Sequence, residues 1–302
     1  MKVAVCVATY LRPGLLHDLL DSLRALELDG LQMAVFVVDN DPSGSAWNVV
    51  DAFRSIIPQL AYEIEPKRGI AAARNRLVRL ALQSTCDYVA FVDDDETVTP
   101  NWLSSLVRTA IRFQADVVTG PVIPRYAPSV PRWVIEGKFF ERPRYVTGHV
   151  LDVAFTNNVL VKSNWLEDLD GPFREAFGLT GGSDTELFRR FYRAGAKIIW
   201  ADQAVVYEVV RPTRARLRWL LQRALRGGNG VVILQGQMGW CSRVIHFLKG
   251  MAHICLGLMS LVPGVFLGTT TLVRGLMRVA KGLGVLLGVV GYCYEEYRHV
   301  SG

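Results

Sequence analysis

The sequence predicts an α/β fold: a doubly wound, mostly parallel sheet with flanking helices, followed by a C-terminal apolar helical tail. Three observations carry that prediction. Over the first 120 residues, short apolar runs of strand length alternate with helical patterns. Acidic, basic and small residues gather just after those runs. From residue 245 to 294 the composition turns abruptly apolar.

Residues 3–8 form a continuous apolar run of the kind a strand buried on both faces shows. Leu15, Leu16, Leu19, Leu20, Leu23 and Leu26 follow at helical spacing, with Asp18 and Asp21 on the opposite face. Strands are expected at 35–38, 60–64, 88–92 and 116–118. Helices are expected at 46–57, 70–83 and 101–113, the last opened by Pro100. Such β-α repetition implies right-handed crossovers, with ligands bound beyond the carboxyl ends of the strands. Residues 121–150 break the rhythm with five prolines and a crowd of aromatics, among them Tyr126, Trp133, Phe139, Phe140 and Tyr145. A loop of that length reads as an ordered lid. Strands at 152–161, 197–200 and 204–209 and a helix at 184–194 are expected to complete the sheet.

Half of the residues are hydrophobic and the mean hydropathy is positive, but the excess lies after residue 230. The chain is therefore expected to divide into a globular α/β domain, 1–230, and a membrane-associated helical region, 231–302. In 245–268 and 270–294, apolar stretches are interrupted by Lys249, His253 and Pro263 and then by Arg274, Arg278 and Lys281 at i, i+4, i+7. That spacing suits a helix lying in a membrane interface better than one crossing it. The competing reading is a helix pair packed on the catalytic domain or on a second subunit. The five cysteines (Cys6, Cys86, Cys241, Cys255, Cys293) are scattered, with no C-x-x-C pair, which fits a reducing cytosol. Residues 2–8 already read as a strand, so no signal peptide is expected ahead of the fold.

The chemistry concentrates at strand ends. Tyr88-Val-Ala-Phe-Val leads into Asp93-Asp94-Asp95-Glu96, four acids at the ligand-binding edge. Carboxylates so close repel one another, and a divalent cation is the common way to hold them. Oxygen-only ligands select Mg²⁺ or Mn²⁺ over zinc. The alternative is an acidic turn capping the next helix, although a cap needs one acid rather than four. Thr9-Tyr10-Leu11-Arg12 follows the first strand and Asp39-Asn40-Asp41 the second. Lys67-Arg68-Gly69 through Arg74-Asn75 opens a helix suited to a diphosphate. A Gly-rich turn from Gly178 delivers Asp184 to a helix start, either as a base or as an N-cap. Between Arg211 and Arg226 lie six arginines and no acid, a cluster that calls for an anionic partner unless it is only a solvated helix face. There is neither a P-loop signature nor a G-x-G-x-x-G after the first strand, which disfavours ATPases and dinucleotide enzymes.

In order along the chain, Ala8-Thr9-Tyr10-x-Arg12, Val38-Asp39, Gly69 with Ala73-Arg74-Asn75, Phe91-Val92-Asp93-Asp94-Asp95 and Gly182-Ser183-Asp184 resemble the family 2 glycosyltransferases. The likeness, over residues 1–230, is greatest to the bacterial exopolysaccharide branch, including succinoglycan-type enzymes. It implies a GT-A fold and an inverting, non-processive transfer from a nucleotide-diphosphate sugar, a UDP-sugar by expectation, to a polyprenyl-diphosphate-linked saccharide. The implied nucleotide-sugar site holds Thr9, Tyr10, Arg12, Asp39, Arg74, Asp93 and Asp94. Asp95 and Asp93 would hold the metal and Asp184 would be the general base. Family members often carry a histidine after the last strand where this chain has Tyr207-Glu208. Two readings of Glu208 compete: a replacement ligand for that histidine, or an ion-pair partner of Arg211 or Arg214. The Q-x-x-R-W of processive synthases is half present, with Arg218-Trp219 but Ala215 in place of Gln. The expected location is the cytoplasmic face of the inner membrane, with no nucleic-acid partner. A catalytically silent nucleotide-sugar-binding scaffold subunit of a polysaccharide assembly complex is the alternative.

Overall fold

The structure is a computed structural model that describes residues 1–177, 181–236 and 239–294. Its elements run β1 (Lys2–Thr9), α1 (Pro13–Arg24), β2 (Gln32–Asp39), α2 (Trp47–Phe53), β3 (Leu60–Ile64), α3 (Ile70–Gln83), β4 (Tyr88–Val92) and β5 (Glu96–Val98). Then come α4 (Trp102–Phe113), β6 (Val117–Thr119), β7 (Val122–Tyr126), α5 (Arg132–Glu136), β8 (Val150–Leu151), β9 (Asn158–Lys162) and α6 (Asn164–Glu167). The chain continues through α7 (Ser183–Arg193), β10 (Ile198–Trp200), β11 (Val206–Val210), α8 (Leu217–Ile233), α9 (Trp240–Leu267) and α10 (Thr269–Val289).

Eight strands form the main sheet in the order β3-β2-β1-β4-β9-β6-β10-β8. Strands β3, β2, β1 and β4 are all parallel, as are β6 and β10, whereas β9 runs against both of its neighbours and β8 against β10. Alternation along β1 shows why the apolar run is unbroken. Val3, Val5 and Val7 enter a core beneath α1, α2 and α4, and Ala4 and Cys6 enter a second core beneath α3 and α7. Each fully buried Val or Leu contributes about 1.5–3 kcal/mol relative to exposure, so a strand apolar on both faces is driven to the centre of three layers.

Two expectations need correction. Residues 204–209 do not complete the main sheet. Strand β11 forms a second, three-stranded sheet, β5-β11-β7, antiparallel to β5 and parallel to β7. Of the strand expected at 152–161 only the last part forms, as β9 from Asn158; residues 152–157 are an irregular stretch that follows the two-residue β8. Asn158 explains the division of the sheets. Its amide donates to the carbonyls of Pro121 and Ala204 at 3.1 and 2.8 Å and accepts from the buried Trp102 indole at 2.9 Å. The chain approaches so closely here that a methyl group on Gly120 would lie 2.9 Å from the Asn158 amide.

The expected lid is ordered. Val130, Val134 and Phe140 of the 121–150 insert form a core with Val210, Ala215 and Leu220, and Val273 of α10 joins it. Phe140 stacks on Trp219 with ring centroids 5.4 Å apart.

Early residues of α8 meet early residues of α10 (Leu220 with Val273) and late ones meet late ones (Val232 beside Gly288), so the two helices run side by side in parallel. Gly268, at φ 97°, turns α9 back into α10, and the pair meets through glycines. A methyl group on Gly257 would sit 2.7 Å from Val279 and 2.9 Å from the Gly275 carbonyl. One on Gly250 would sit 2.8 Å from Leu286, and one on Gly264 2.9 Å from Leu272. Only glycine permits helices this close.

Candidate active site

A cleft of about 950 Å³ opens beyond the carboxyl ends of β1, β2 and β4. Thr9, Tyr10, Arg12, Arg74, Asp93, Asp94, Asp95 and Glu208 all line it. From the sequence-derived set only Asp39 and Asp184 are not on its wall.

The acids that follow β4 diverge in environment. The Thr9 hydroxyl donates to Asp94 at 2.8 Å, and Arg12 lies 3.2 Å from Asp94 and 3.5 Å from Asp95. Burial, opposed by Arg12 and reinforced by Asp95, pushes the Asp94 carboxyl up to about 7. Asp93 is also raised, first by its depth in the cleft and then by Asp95, Asp184 and Glu208, with Arg74 opposing. Arg74 reaches Asp93 at 3.5 Å. Glu96 points inward, accepts from the Asp93 amide at 2.9 Å and is driven well above the usual carboxylate range by burial.

Glu208 enters because β11 pairs with β5, setting it opposite Glu96. The turn after β11 brings back Arg214, whose guanidinium forks between Asp95 at 2.7 Å and Glu208 at 3.0 Å. Arg142 of the insert holds the other Glu208 oxygen at 3.1 Å. Glu208 thus pairs with Arg214 and Arg142 rather than with Arg211. Among the described residues, no three acids or other metal-binding side chains gather closely enough to form a ready-made cation site.

The arginine cluster is not a solvated face. Arg211, Arg214, Arg218, Arg223 and Arg226 line the cleft with Arg12, Arg68 and Arg74, giving eight arginines against four acids. Burial, reinforced by Arg142, pushes Arg223 down to about 10. Arg211 is lowered by burial and then by Arg12 and Arg214, and its Nε is buried without a partner. The start of α3, at Gly69 and Ile70, also faces the cleft. Gly69 has φ 133°, and its N–H donates to Asn40 at 2.8 Å, which fixes the entry of the helix.

Asp39 is fully buried. Its carboxylate accepts from the amides of Asp41 (3.0 Å) and Ala46 (2.8 Å) and from the Tyr62 hydroxyl (3.0 Å), so it organises the turn after β2. Asp184 lies in the first turn of α7, where Gly182, at φ 89°, is the N-cap. Asp184 is therefore not the cap. It accepts from the Thr185 amide at 2.7 Å and is close enough to Asp93 to raise it. The Gly178–Thr180 part of the predicted Gly-rich turn lies outside the described residues.

Sequence reasoning assigned no individual role to Arg142, Arg223 or Tyr294, although the acid-free arginine run pointed to the neighbourhood of Arg223; Arg214 was read only as a partner for Glu208 and Trp219 only as part of a half-present motif. Nothing in the local sequence ties Arg142 to Glu208, 66 residues away.

Residues 4–169 match the profile of Glycosyl transferase family 2, and 88–287 that of Glycosyl transferase family group 2. The chain is 36% identical over 232 residues to the succinoglycan biosynthesis protein ExoM of Rhizobium meliloti, covering 76% of this chain and 74% of that one. It is 26% identical over 247 residues to the glucosyl-dolichyl phosphate glucuronosyltransferase of Haloferax volcanii, covering 76% and 75%. The S. aureus TarS 1-349 structure in complex with UDP-GlcNAc superposes with a TM-score of 0.54 at 15% identity, over 93% of this chain and 90% of that one. The fold is therefore of the GT-A kind.

Proposed function

This chain belongs to glycosyl transferase family 2 and is a glycosyltransferase, and we propose that it transfers a single sugar from a UDP-sugar, with inversion, to a lipid-linked saccharide in exopolysaccharide synthesis. One observation carries the reading: a cleft at the strand ends whose eight arginines outnumber its four acids. Such an excess suits a ligand with several negative charges, and a nucleoside diphosphate supplies them.

In this reading the acceptor hydroxyl attacks the anomeric carbon, Asp184 takes its proton, and the bond from that carbon to the diphosphate oxygen breaks. Tyr10, Arg12, Arg74 and Asp93 bind the nucleotide sugar, Thr9 and Asp94 act as a hydrogen-bonded pair beneath it, and Asp39 fixes the adjoining turn. Arg211, with its unpaired buried Nε, and Arg223 stabilise the charge that collects on the departing nucleoside diphosphate. Asp93, Asp95 and Glu208 offer the all-oxygen donors that Mg²⁺ or Mn²⁺ takes and would hold it in competition with Arg214. Bound there, the cation would add positive charge beside the leaving diphosphate.

The role of the bacterial relative in succinoglycan biosynthesis supports the exopolysaccharide assignment, and the archaeal relative's glucosyl-dolichyl phosphate supports a lipid-linked acceptor, here a polyprenyl diphosphate. UDP-GlcNAc in the S. aureus structure supports a uridine donor. The apolar C-terminal helices then attach the enzyme to the cytoplasmic face of the inner membrane.

Binding of a panel of nucleotide sugars, with and without Mn²⁺, to wild type and Asp95→Ala tests the donor and the metal. One UDP-sugar is expected to bind only with metal and only to wild type. Asp184→Asn should bind that donor unchanged while transfer falls by about 10²–10⁴-fold. Binding indifferent to both metal and Asp95 would make the acid cluster structural and favour a scaffold subunit.

A further inference from the structure

The α9–α10 hairpin is inverted in its packing. Along α9, Gly250, Gly257 and Gly264 face inward at seven-residue spacing. Leu248, Met259, Val262, Val265 and Phe266 are 60–85% exposed. Among the described residues α9 is the one helix long and apolar enough to cross a membrane, with mean hydropathy 1.8. Its 28 residues span about 42 Å at 1.5 Å per residue, more than the ~30 Å of hydrocarbon it would have to cross.

The direction of α9 is fixed by what lies beneath it. Helix α8 is held to the catalytic domain at both ends. At its start Trp219 stacks on Phe140 of the insert, and just past its end Leu234 lies against Gly182, two residues from Asp184. Helix α10 runs parallel to α8 along its length, and its early part is tied to the insert by Val273 and by Arg274, which donates to the Gly137 carbonyl at 3.2 Å. Helix α9 packs antiparallel on α10. All three helices therefore lie lengthwise along the flank of the catalytic domain. Standing α9 upright in a bilayer would carry the arginine-lined cleft and both anchor points of α8 into hydrocarbon, where charged groups are strongly disfavoured.

We infer that α9 lies in the membrane plane, sunk by its outer face into a single leaflet, with the cleft mouth held at headgroup level. This rests on the membrane attachment proposed above and adds its geometry. The occupant of the apolar face is an anionic lipid leaflet rather than a second copy of the chain, and charge decides this. From Val209 to Tyr294 there are eleven Lys or Arg and not one Asp or Glu. The outer face of α9 carries no charge from Gly250 onward, while Arg274, Arg278 and Lys281 are exposed along α10. Two such surfaces repel each other, whereas anionic headgroups attract both.

The test uses spin labels on the full chain bound to vesicles of phosphatidylethanolamine and phosphatidylglycerol. Three single-site proteins carry the label at Leu248→Cys, at native Cys255 and at Val262→Cys, with the other exposed cysteines changed to Ser. These positions share one helical face at steps of about 10 Å. Depth is read from the relative accessibility to oxygen and to a water-soluble nickel chelate. The proposal expects all three labels at one depth, within about 3 Å. A profile deepest at 255 and shallower by about 10 Å at both 248 and 262 would show a crossing helix and overturn the in-plane geometry while leaving attachment intact. Labels open to nickel in the presence of vesicles would overturn both. Labels shielded from both reagents without vesicles, in a protein that sediments as a dimer, would assign the face to a second copy.

Discussion

The catalytic domain and the C-terminal hairpin are packed by opposite rules. In the first, Leu103, Leu106, Trp102 and the strand valines are buried, and apart from Asp39 and Glu96 the charges lie mostly outside or in the cleft. In the second, glycines are inside and the large apolar side chains are outside. Water rewards the first arrangement, because buried apolar area drives it. A hydrocarbon solvent removes that drive between helices and leaves close backbone contact to hold them. On the proposed membrane attachment, one chain answers to two solvents, and the change falls at α8.

The strongest challenge to this contrast pairs Leu103→Ala with Val262→Ala. Leu103 is fully buried, and its truncation should cost about 2–5 kcal/mol by chemical denaturation, whereas Val262→Ala should leave the midpoint unchanged and weaken vesicle binding. Equal losses would mean that α9 packs like an ordinary core helix. Next in size, Gly257→Leu should destabilise the hairpin by about 1–3 kcal/mol, seen as earlier proteolysis between α9 and α10, because Val279 and the Gly275 carbonyl have no room to retreat.

A third test concerns pH. Asp94 is raised from 3.8 to about 7, so the folded state holds its proton more tightly than the unfolded chain does. The corresponding stability is present below pH 3.8 and is lost as pH rises towards 7. The urea midpoint should fall across that window in wild type and stay flatter in Asp94→Asn. The smallest expected effect sharpens the contrast between glycines. Gly14 in α1 has open space around its Cα, so Gly14→Ala should stabilise by about 0.5–1 kcal/mol, opposite in sign to Gly257→Ala.

Much of this was legible in the sequence, for physical reasons. Apolar runs such as 88–92 are buried on both faces and could hardly be anything but central strands, and their ends place Thr9, Arg74 and Asp93 in one cleft. The second sheet was hidden because β5 begins with Glu96, a buried acid where a strand pattern would have an apolar residue. Asp39 read as a ligand-facing residue, yet its partners Ala46 and Tyr62 come from outside its own strand, and only the fold reveals them. The pairing of Arg214 with Asp95 spans 119 residues, and no local pattern encodes it. The glycine spacing of α9 was visible in the letters, but its meaning depended on which helix it faces.

Helix α8 has a practical consequence for anyone who would shorten the protein to make it easier to handle. Its arginines form one wall of the cleft, and its opposite side is seated on α10 through Gly228 and Val232. Cutting the chain after residue 236 would remove the seat along with the proposed membrane anchor. The arginine wall would then be held only by Trp219 and Leu220 at its start and by Leu234 against Gly182 at its end, so a truncated enzyme should lose donor affinity along with the proposed membrane attachment. Solubility and activity are, in this architecture, a single design variable.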